Sequence, residues 1–471
     1  MRTSADWSVA VSVALRLLVV GLVCGADARI RPAEAGVPTP PDIVQGSVPT
    51  FHRDIAPILQ ARCQVCHRPD QVGPFPLETF EQARKRGPDI AEVVEERRMP
   101  PWKPVAGFGP KLAHDRSLPP AEVELIRAWA HGGMPEGDVK DRRPSRTFAA
   151  GWTLGTPDLI LEPAEDFPLV AGGPDVYRCF VIPTNLPGDV YVSAVEYRPG
   201  NGRVVHHAMA FVEVAGRARL RDEAEAGPGY TSYSGPGVDI VGDLGGWAAG
   251  NDPVHLPDGL GRLLPKGADV ILQVHYHPSG KREVDRTRIG FYFARKPVRQ
   301  TLQWVGVTTK NIHLDAGQDR VEVRARWTVP VDVEVLSVVP HMHQLGRDME
   351  VTVTSPNGRK APLIRVADWD PAWQGTYTFA QSIRLVRGSI VETVAHYDNS
   401  AGNPRNPNSP PRDVKYGFEM FDEMSVAYLG VVKQGQDLTQ AGQKDDLFAI
   451  LVDQHRRNQI RDELTPSRRR R

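Results

Sequence analysis

The chain has 471 residues, with 57 Lys plus Arg balanced by 57 Asp plus Glu, 43 Gly, 42 Pro and four Cys. That length exceeds one hydrophobic core and points to about two to four units. The even charge leaves no basic field for nucleic acid, and the Gly and Pro content favours turns and short strands, hence a largely β chain.

Residues 1–28 read as an export signal. Arg2 supplies the positive start, Val9 to Val23 is apolar except for Ser12 and Arg16, and Ala26-Asp27-Ala28 offers small residues for cleavage. The apolar run is short and interrupted, which argues against a permanent membrane span. Cys24 suggests a lipid anchor only weakly, because Val23 before it is large for such a motif. A periplasmic or secreted protein is expected. With Cys24 removed and Cys63 and Cys66 in one motif, Cys179 has no partner and no structural disulfide is expected.

Residues 29–48, rich in Pro, Ala and Gly, read as a linker. A helical unit is expected over 49–137. Asp54 to Leu59 opens one helix, Glu78 to Arg86 gives a second, and Ile90 to Arg97 a third. A fourth runs from Pro120 to His131, where Val123, Ile126 and Ala130 recur beside Leu125 and Trp129 before Gly132-Gly133 stops it.

This unit contains Cys63-Gln64-Val65-Cys66-His67. Two thiols three residues apart can form thioethers to haem vinyl groups, and the adjacent histidine then sits beneath the iron. The alternatives are a redox dithiol, which belongs near a βαβ pattern, and half of a zinc site, which needs more Cys or His nearby; neither context is present. Met99, on the Met99-Pro100-Pro101-Trp102 loop, is preferred as sixth ligand over Met134, because a proline-fixed loop holds a thioether at little entropic cost. The stretch from Phe51 to Trp102, with the Trp129 helix, resembles small bacterial c-type cytochrome domains. That resemblance implies one covalent haem c held by Cys63, Cys66, His67 and Met99.

A polar linker is expected over 138–151. Beyond Trp152 the texture turns to short strands, at Val190 to Tyr197, Val270 to His277, Arg320 to Val329, Val333 to Val339, Glu350 to Ser355 and Ile390 to Tyr397. Two antiparallel β-sandwiches are expected, over 152–305 and 306–435. A polar tail follows over 436–471, with one helix from Asp446 to Gln454.

Three histidine clusters fall in this half: His206-His207, His275-Tyr276-His277 and His341-Met342-His343. On a strand, residues two apart share a face, so His341 and His343 can chelate one metal, as can His275 and His277. Adjacent His206 and His207 point oppositely on a regular strand and reach one ion only at a twist, bulge or strand end. A strand histidine is more often a hydrogen-bonded core or surface residue, but three clusters among apolar strands point to metal. Imidazoles suit several metals; a thioether from Met424 would select copper.

The ordered motifs His206-His207-Ala208-Met209, Leu272-Gln273-Val274-His275-Tyr276, His341-Met342-His343-Gln344-Leu345-Gly346 and Asp422-Glu423-Met424 resemble the copper type II, ascorbate-dependent monooxygenases. That family includes peptidylglycine hydroxylating and dopamine β-monooxygenases. The resemblance spans roughly Trp152 to Leu429 and implies two jelly-roll-like sandwiches with one copper each. By motif, His206, His207 and His275 would hold the electron-transfer copper. His341, His343 and Met424 would hold the copper that binds dioxygen, and Gln273 would line the cleft.

Three departures stand out. His277 and His396 are extra imidazoles, His277 as a spare ligand and His396 as a structural residue. The family's animal members are rich in disulfides. Val339 stands where peptide-amidating enzymes carry an arginine for the peptide carboxylate, which argues against peptide amidation. The implied activity is O₂-dependent hydroxylation of a small molecule, with electrons from the tethered haem at high effective concentration and an external redox protein or ascorbate-like reductant behind it. The other class is a non-catalytic copper and haem electron carrier.

Overall fold

The computed structural model describes residues 48–464, apart from Asp70, Val72, Ala149, Ala150, Ser234, Ala249, Gly250 and Met420, and without the side chains of 459–464. The expected export signal, Cys24, nearly all of the 29–48 linker and the closing arginines lie outside the described residues. Among those described, no helix is long and apolar enough to cross a membrane.

The first unit is helical. A run of π and α turns covers Phe51–Ile55, Ala56–Ile58 and Leu59–Cys63, followed by helices Phe80–Lys85, Gly87–Glu95 and Pro120–His131. The first of these, Phe80–Lys85, begins in a reciprocal cap. Gln82 N–H donates to Thr79 Oγ1, and Thr79 N–H donates to Gln82 Oε1. The apolar faces meet in a core of Phe51, Ile55, Leu59, Ile90, Ile126 and Trp129. Trp129 Nε1 and Phe51 N both donate to the Pro135 carbonyl, which ties the end of the unit to its beginning.

The rest of the chain is β-rich and forms two sandwiches. In the first, five-stranded sheets pack around Phe180, Val192, Val212, Leu264, Leu272 and Phe291. In the second, four-stranded sheets enclose Val335, Val338, Met342, Trp369, Leu429 and Val431. The strand Val321–Thr328 shows the pleat plainly: Val323, Ala325 and Trp327 turn inward, while Glu322, Arg324 and Arg326 face water and pair there with each other or Glu392. Gln300–Thr301 still pairs within the first sandwich and Gln303–Thr308 within the second, so the passage falls at Leu302, slightly before the expected 305/306 boundary.

Two connections differ from simple linkers. Within 138–151, Arg146 donates to the Gln60 carbonyl, Gln60 Nε2 donates to the Pro144 carbonyl, and Arg68 lies over the Phe148 ring. These contacts hold the segment to the helical unit. Between the last two of its helices, residues 102–113 lie along the edges of both sheets of the second sandwich. Val105 N–H donates to Arg365, Ala113 N–H to Thr378, and Lys111 accepts from Ala380, all main chain. Trp102 packs edge-on against Tyr377 at 5.3 Å. Edge strands expose unpaired backbone groups, and this segment covers them.

The closing helix, Leu447–Leu464, is longer than expected and belongs to the fold. Leu447 and Leu451 enter the second core, Trp327 Nε1 donates to Gln454 Oε1, and Gln454 Nε2 donates to the Thr328 carbonyl. Leu447 is fully buried. Leu447→Ala should therefore lower unfolding free energy by about 2–5 kcal/mol, read from urea denaturation.

Candidate metal centres

The strand Val205–Glu213 carries two adjacent histidines and pairs with Asp269–Tyr276, which carries His275. The register runs Val205 to Tyr276 and then His207 to His275, so His206 is the extra residue of a β-bulge. The bulge turns a ring that a regular pleat would send to the opposite face. His206 Nδ1 and His275 Nδ1 each lie 3.2 Å from His207 Nδ1, and one ligand atom from each ring fits within a 4.8 Å group.

The protonation of this trio follows from its partners. His275 Nε2 lies 2.7 Å from Asp175 Oδ2. A carboxylate only accepts, so the proton sits on Nε2 and the lone pair of His275 Nδ1 faces the other two rings. Burial raises the Asp175 carboxyl, but its hydrogen bonds to His275 and His277 outweigh that and hold it below the ordinary carboxylate range. Burial, then the neighbouring His275, brings His206 down to about 4, and the same two causes carry His207 well below the ordinary value. Three imidazoles with converging ring nitrogens could hold one cation. Tyr177 stacks on His275 at 4.0 Å and 10°, which holds that ring's plane.

His341 and His343 stand at the end of Val333–Met342, ring centroids 5.2 Å apart and edge to face. His341 Nδ1 lies 2.7 Å from Gln374 Oε1, and Gln374 Nε2 donates to the Pro371 carbonyl, which settles the orientation of the amide. His343 Nδ1 lies 3.0 Å from the Asp422 carbonyl. Both partners accept, so both rings are protonated at Nδ1 and keep Nε2 free for a ligand bond. Glu423 fixes the turn that carries them, accepting from the backbone N–H of His343 at 2.9 Å and of Leu345 at 2.6 Å.

Met424 adjoins the ladder that bears this pair. His341 pairs with Val426 and Met342 with Ser425, where the ladder ends, so Met424 and His343 are the next residues beyond it on its two sides. The Met424 side chain is buried, and its carbonyl accepts from Tyr397 Oη at 2.7 Å. The two histidine groups lie within reach of each other's charge. Burial, then the His343 charge, lowers His341 to about 3, with His206 and His275 acting on it from the other group.

In the helical unit, Cys63 closes its π turn, and the Cys66 and His67 N–H groups both donate to the Cys63 carbonyl. His67 Nδ1–H donates to the Phe75 carbonyl at 3.0 Å, leaving Nε2 as the free lone pair. A Cβ on Gly73 would lie 2.6 Å from the Cys66 carbonyl oxygen, so the turn requires glycine. Burial pushes the Cys63 thiol up to about 12, the opposite of a reactive redox cysteine. The two methionines part company. A Cβ on Gly87 would strike Met134 Sδ, so that thioether packs over the start of Gly87–Glu95, whereas Met99 lines a cleft of about 450 Å³ with Lys103, Arg347 and Trp373.

Other sequence expectations land elsewhere. Gln273 is 3% exposed, and its Nε2 donates to the Ser232 and Gly235 carbonyls, so it anchors that loop instead of lining the cleft. His277 stands outside the trio with 62% of its side chain exposed, bonded to Asp175. His396 bonds Asp348 in the other sheet of the second sandwich. Cys179 is a free, buried thiol. Asp175, Gln374 and Glu423 escaped the sequence reading. Asp422-Glu423 adjoins Met424 and was within reach, but nothing in the spacing of Asp175 or Gln374 marks either one.

No family model matches the chain, and no curated protein does. Among solved structures, the VP2 subviral particle of infectious bursal disease virus is 10% identical, covering 62% of this chain and 75% of its own at a TM-score of 0.18. The major capsid protein P2 from bacteriophage PM2 is 11% identical, covering 59% and 98% at a TM-score of 0.24. At these scores no shared fold or function follows.

Two outcomes test the donor geometry. Asp175→Asn should weaken metal binding at the trio by about 10–100-fold, read by competitive copper titration, with the His341 group unaffected. In metal-free protein, His206 and His341 have folded values below the unfolded value of 6.5. Stability present above pH 6.5 should then be lost as pH falls toward about 4 and about 3 respectively, by up to about 1.4 kcal/mol per pH unit for each group. Denaturation midpoints at pH 7 and pH 5 measure it.

Proposed function

We propose that the chain is an exported copper-dependent monooxygenase that hydroxylates a C–H bond of a small molecule with O₂, supplied with electrons by a c-type haem on the same chain. The observation that carries this reading is the pair of histidine groups within each other's electrostatic reach, His206, His207 and His275 in one and His341 and His343 in the other, with Met424 one residue beyond the ladder that bears the second. The family resemblance of the four ordered motifs supports it. When bound, copper would supply one-electron redox and O₂ chemistry, the all-imidazole set suiting exchange between its two oxidation states and the thioether set favouring the reduced one.

The chain's residues prepare that chemistry. Asp175, Gln374 and the Asp422 carbonyl hold the protons of His275, His341 and His343 on the nitrogens that face away from the donor side. Glu423 fixes the His343 turn, and Tyr177 holds the His275 plane. Cys63 and Cys66 would hold the haem by thioethers and His67 by its Nε2, since its Nδ1–H donates to the Phe75 carbonyl. Met99 is the candidate sixth ligand, and an external redox protein or ascorbate-like reductant would refill the haem.

Metal analysis of haem-loaded protein should give two copper and one iron per chain; a single copper, or none, overturns the reading. Met424→Ala should abolish O₂-dependent product while leaving the haem spectrum and the trio's copper in place. Unchanged oxygen consumption in that variant would instead favour a copper and haem electron carrier.

A further inference from the structure

Resting on the reading above, we propose that Lys103, a residue of the helical unit, is a positioning residue for the metal-binding group of the second sandwich, acting through the loop 368–374 that holds His341 by its ring and His343 by its backbone.

That loop supports both histidines from behind. Gln374 Oε1 accepts from His341 Nδ1 at 2.7 Å, and Trp369 Nε1 donates to the His343 carbonyl at 3.0 Å. Trp369 is buried, and its own N–H donates to the Arg347 carbonyl at 2.8 Å. A Cβ on Gly346 would lie 2.8 Å from the Trp369 ring, so the turn after His343 packs directly on the indole. A glutamine side chain has several rotatable bonds, and its carbonyl stays on His341 only while the turn beneath it is fixed.

Four consecutive residues after Met99-Pro100-Pro101 grip this loop at both ends. Trp102 packs edge-on against Tyr377, just past the loop. Pro104 bridges to Val366 and Val105 N–H donates to the Arg365 carbonyl, just before it. Between them Lys103, its side chain 8% exposed, pairs with Asp368 at 3.0 Å and Asp370 at 3.8 Å. Asp370 also shapes the turn: its Oδ1 accepts from Ala372 N–H and its carbonyl from Trp373 N–H, both at 3.0 Å. Gln374 comes next, its Nε2 donating to the Pro371 carbonyl at 2.9 Å. Ammonium, carboxylate, turn, amide and imidazole thus form one line of contacts.

A lysine this buried is normally paired, and its removal leaves two carboxylates two residues apart without their shared cation. Their repulsion loosens the turn and, with it, the amide that fixes the His341 tautomer. The trio is backed differently, by Asp175 of the first sandwich, so Lys103 separates the two groups.

The test compares the full chain as wild type, Lys103→Met, Lys103→Arg and Asp368→Asn. In metal-free protein, nuclear magnetic resonance follows solvent exchange of the His341 Nδ1 proton. Exchange should be faster in Lys103→Met and return toward wild type in Lys103→Arg, which keeps the charge. Asp368→Asn changes an exposed carboxylate and leaves Asp370 paired, so its rise should be smaller; should Lys103→Met not fold, this variant decides in the same direction. Competitive copper titration should show affinity at the His341 group lowered about tenfold in Lys103→Met, the low end of what loss of an outer partner costs, with the trio unchanged. The Lys103→Met/Gln374→Ala double variant should lose less than the product of the two single losses, because residues acting in series are not additive.

Unchanged exchange of the His341 proton, equal loss of copper at both groups, or fully multiplicative losses in the double variant overturns the role of Lys103 and leaves the proposed function standing. Absence of copper from the wild-type His341 group overturns the proposed function instead, while the proton exchange still decides whether Lys103 positions the ring.

Discussion

A neutral imidazole carries one proton between its two nitrogens, so the hydrogen bond that proton makes decides which nitrogen offers a lone pair to a metal. In this protein that N–H donates to oxygens that accept and cannot donate. Asp175 stands behind His275, the Gln374 carbonyl behind His341, and the Asp422 and Phe75 carbonyls behind His343 and His67. The strand geometry around them serves to deliver each ring to its acceptor. Such outer partners set both the tautomer and the ring plane, which is why they matter nearly as much as the ligands.

The tripeptide Asp422-Glu423-Met424 concentrates that work. Its first residue fixes a tautomer by its carbonyl, its second fixes the His343 turn by its carboxylate, and its third is a buried thioether next to them in the chain. Burial pushes the Glu423 carboxyl up to about 8, against the pull of the backbone N–H groups it accepts from. A cation held nearby would favour its charged form, and with it the hydrogen bonds that hold this turn.

The helical unit is integrated into the second sandwich by backbone pairing along two sheet edges. This covers two open sheet edges and, by the same contacts, fixes how the helical unit sits on the second sandwich. A tether of polar residues would have given only a raised local concentration. Backbone pairing gives one placement.

Much of this was legible beforehand because the relevant signals are local. The helices followed from apolar periodicity, the strand Val321–Thr328 from its alternation, and from the pleat the rule that His206 and His207 reach one ion only at a twist, bulge or strand end, of which the structure has the bulge. The polar composition of the last stretch hid Leu447 and Leu451, which enter the core on one face of an otherwise polar helix. Gln273 was misplaced because its motif position says nothing of which loop packs over it. By itself, the sequence determined the periodic elements, the Cys63-Cys66-His67 spacing and the order of the histidine clusters. Only the tertiary structure decided which nitrogen of each ring is free, because that depends on acceptors 33 to 100 residues away for His275, His341 and His343, and such partners meet only when the sheets close.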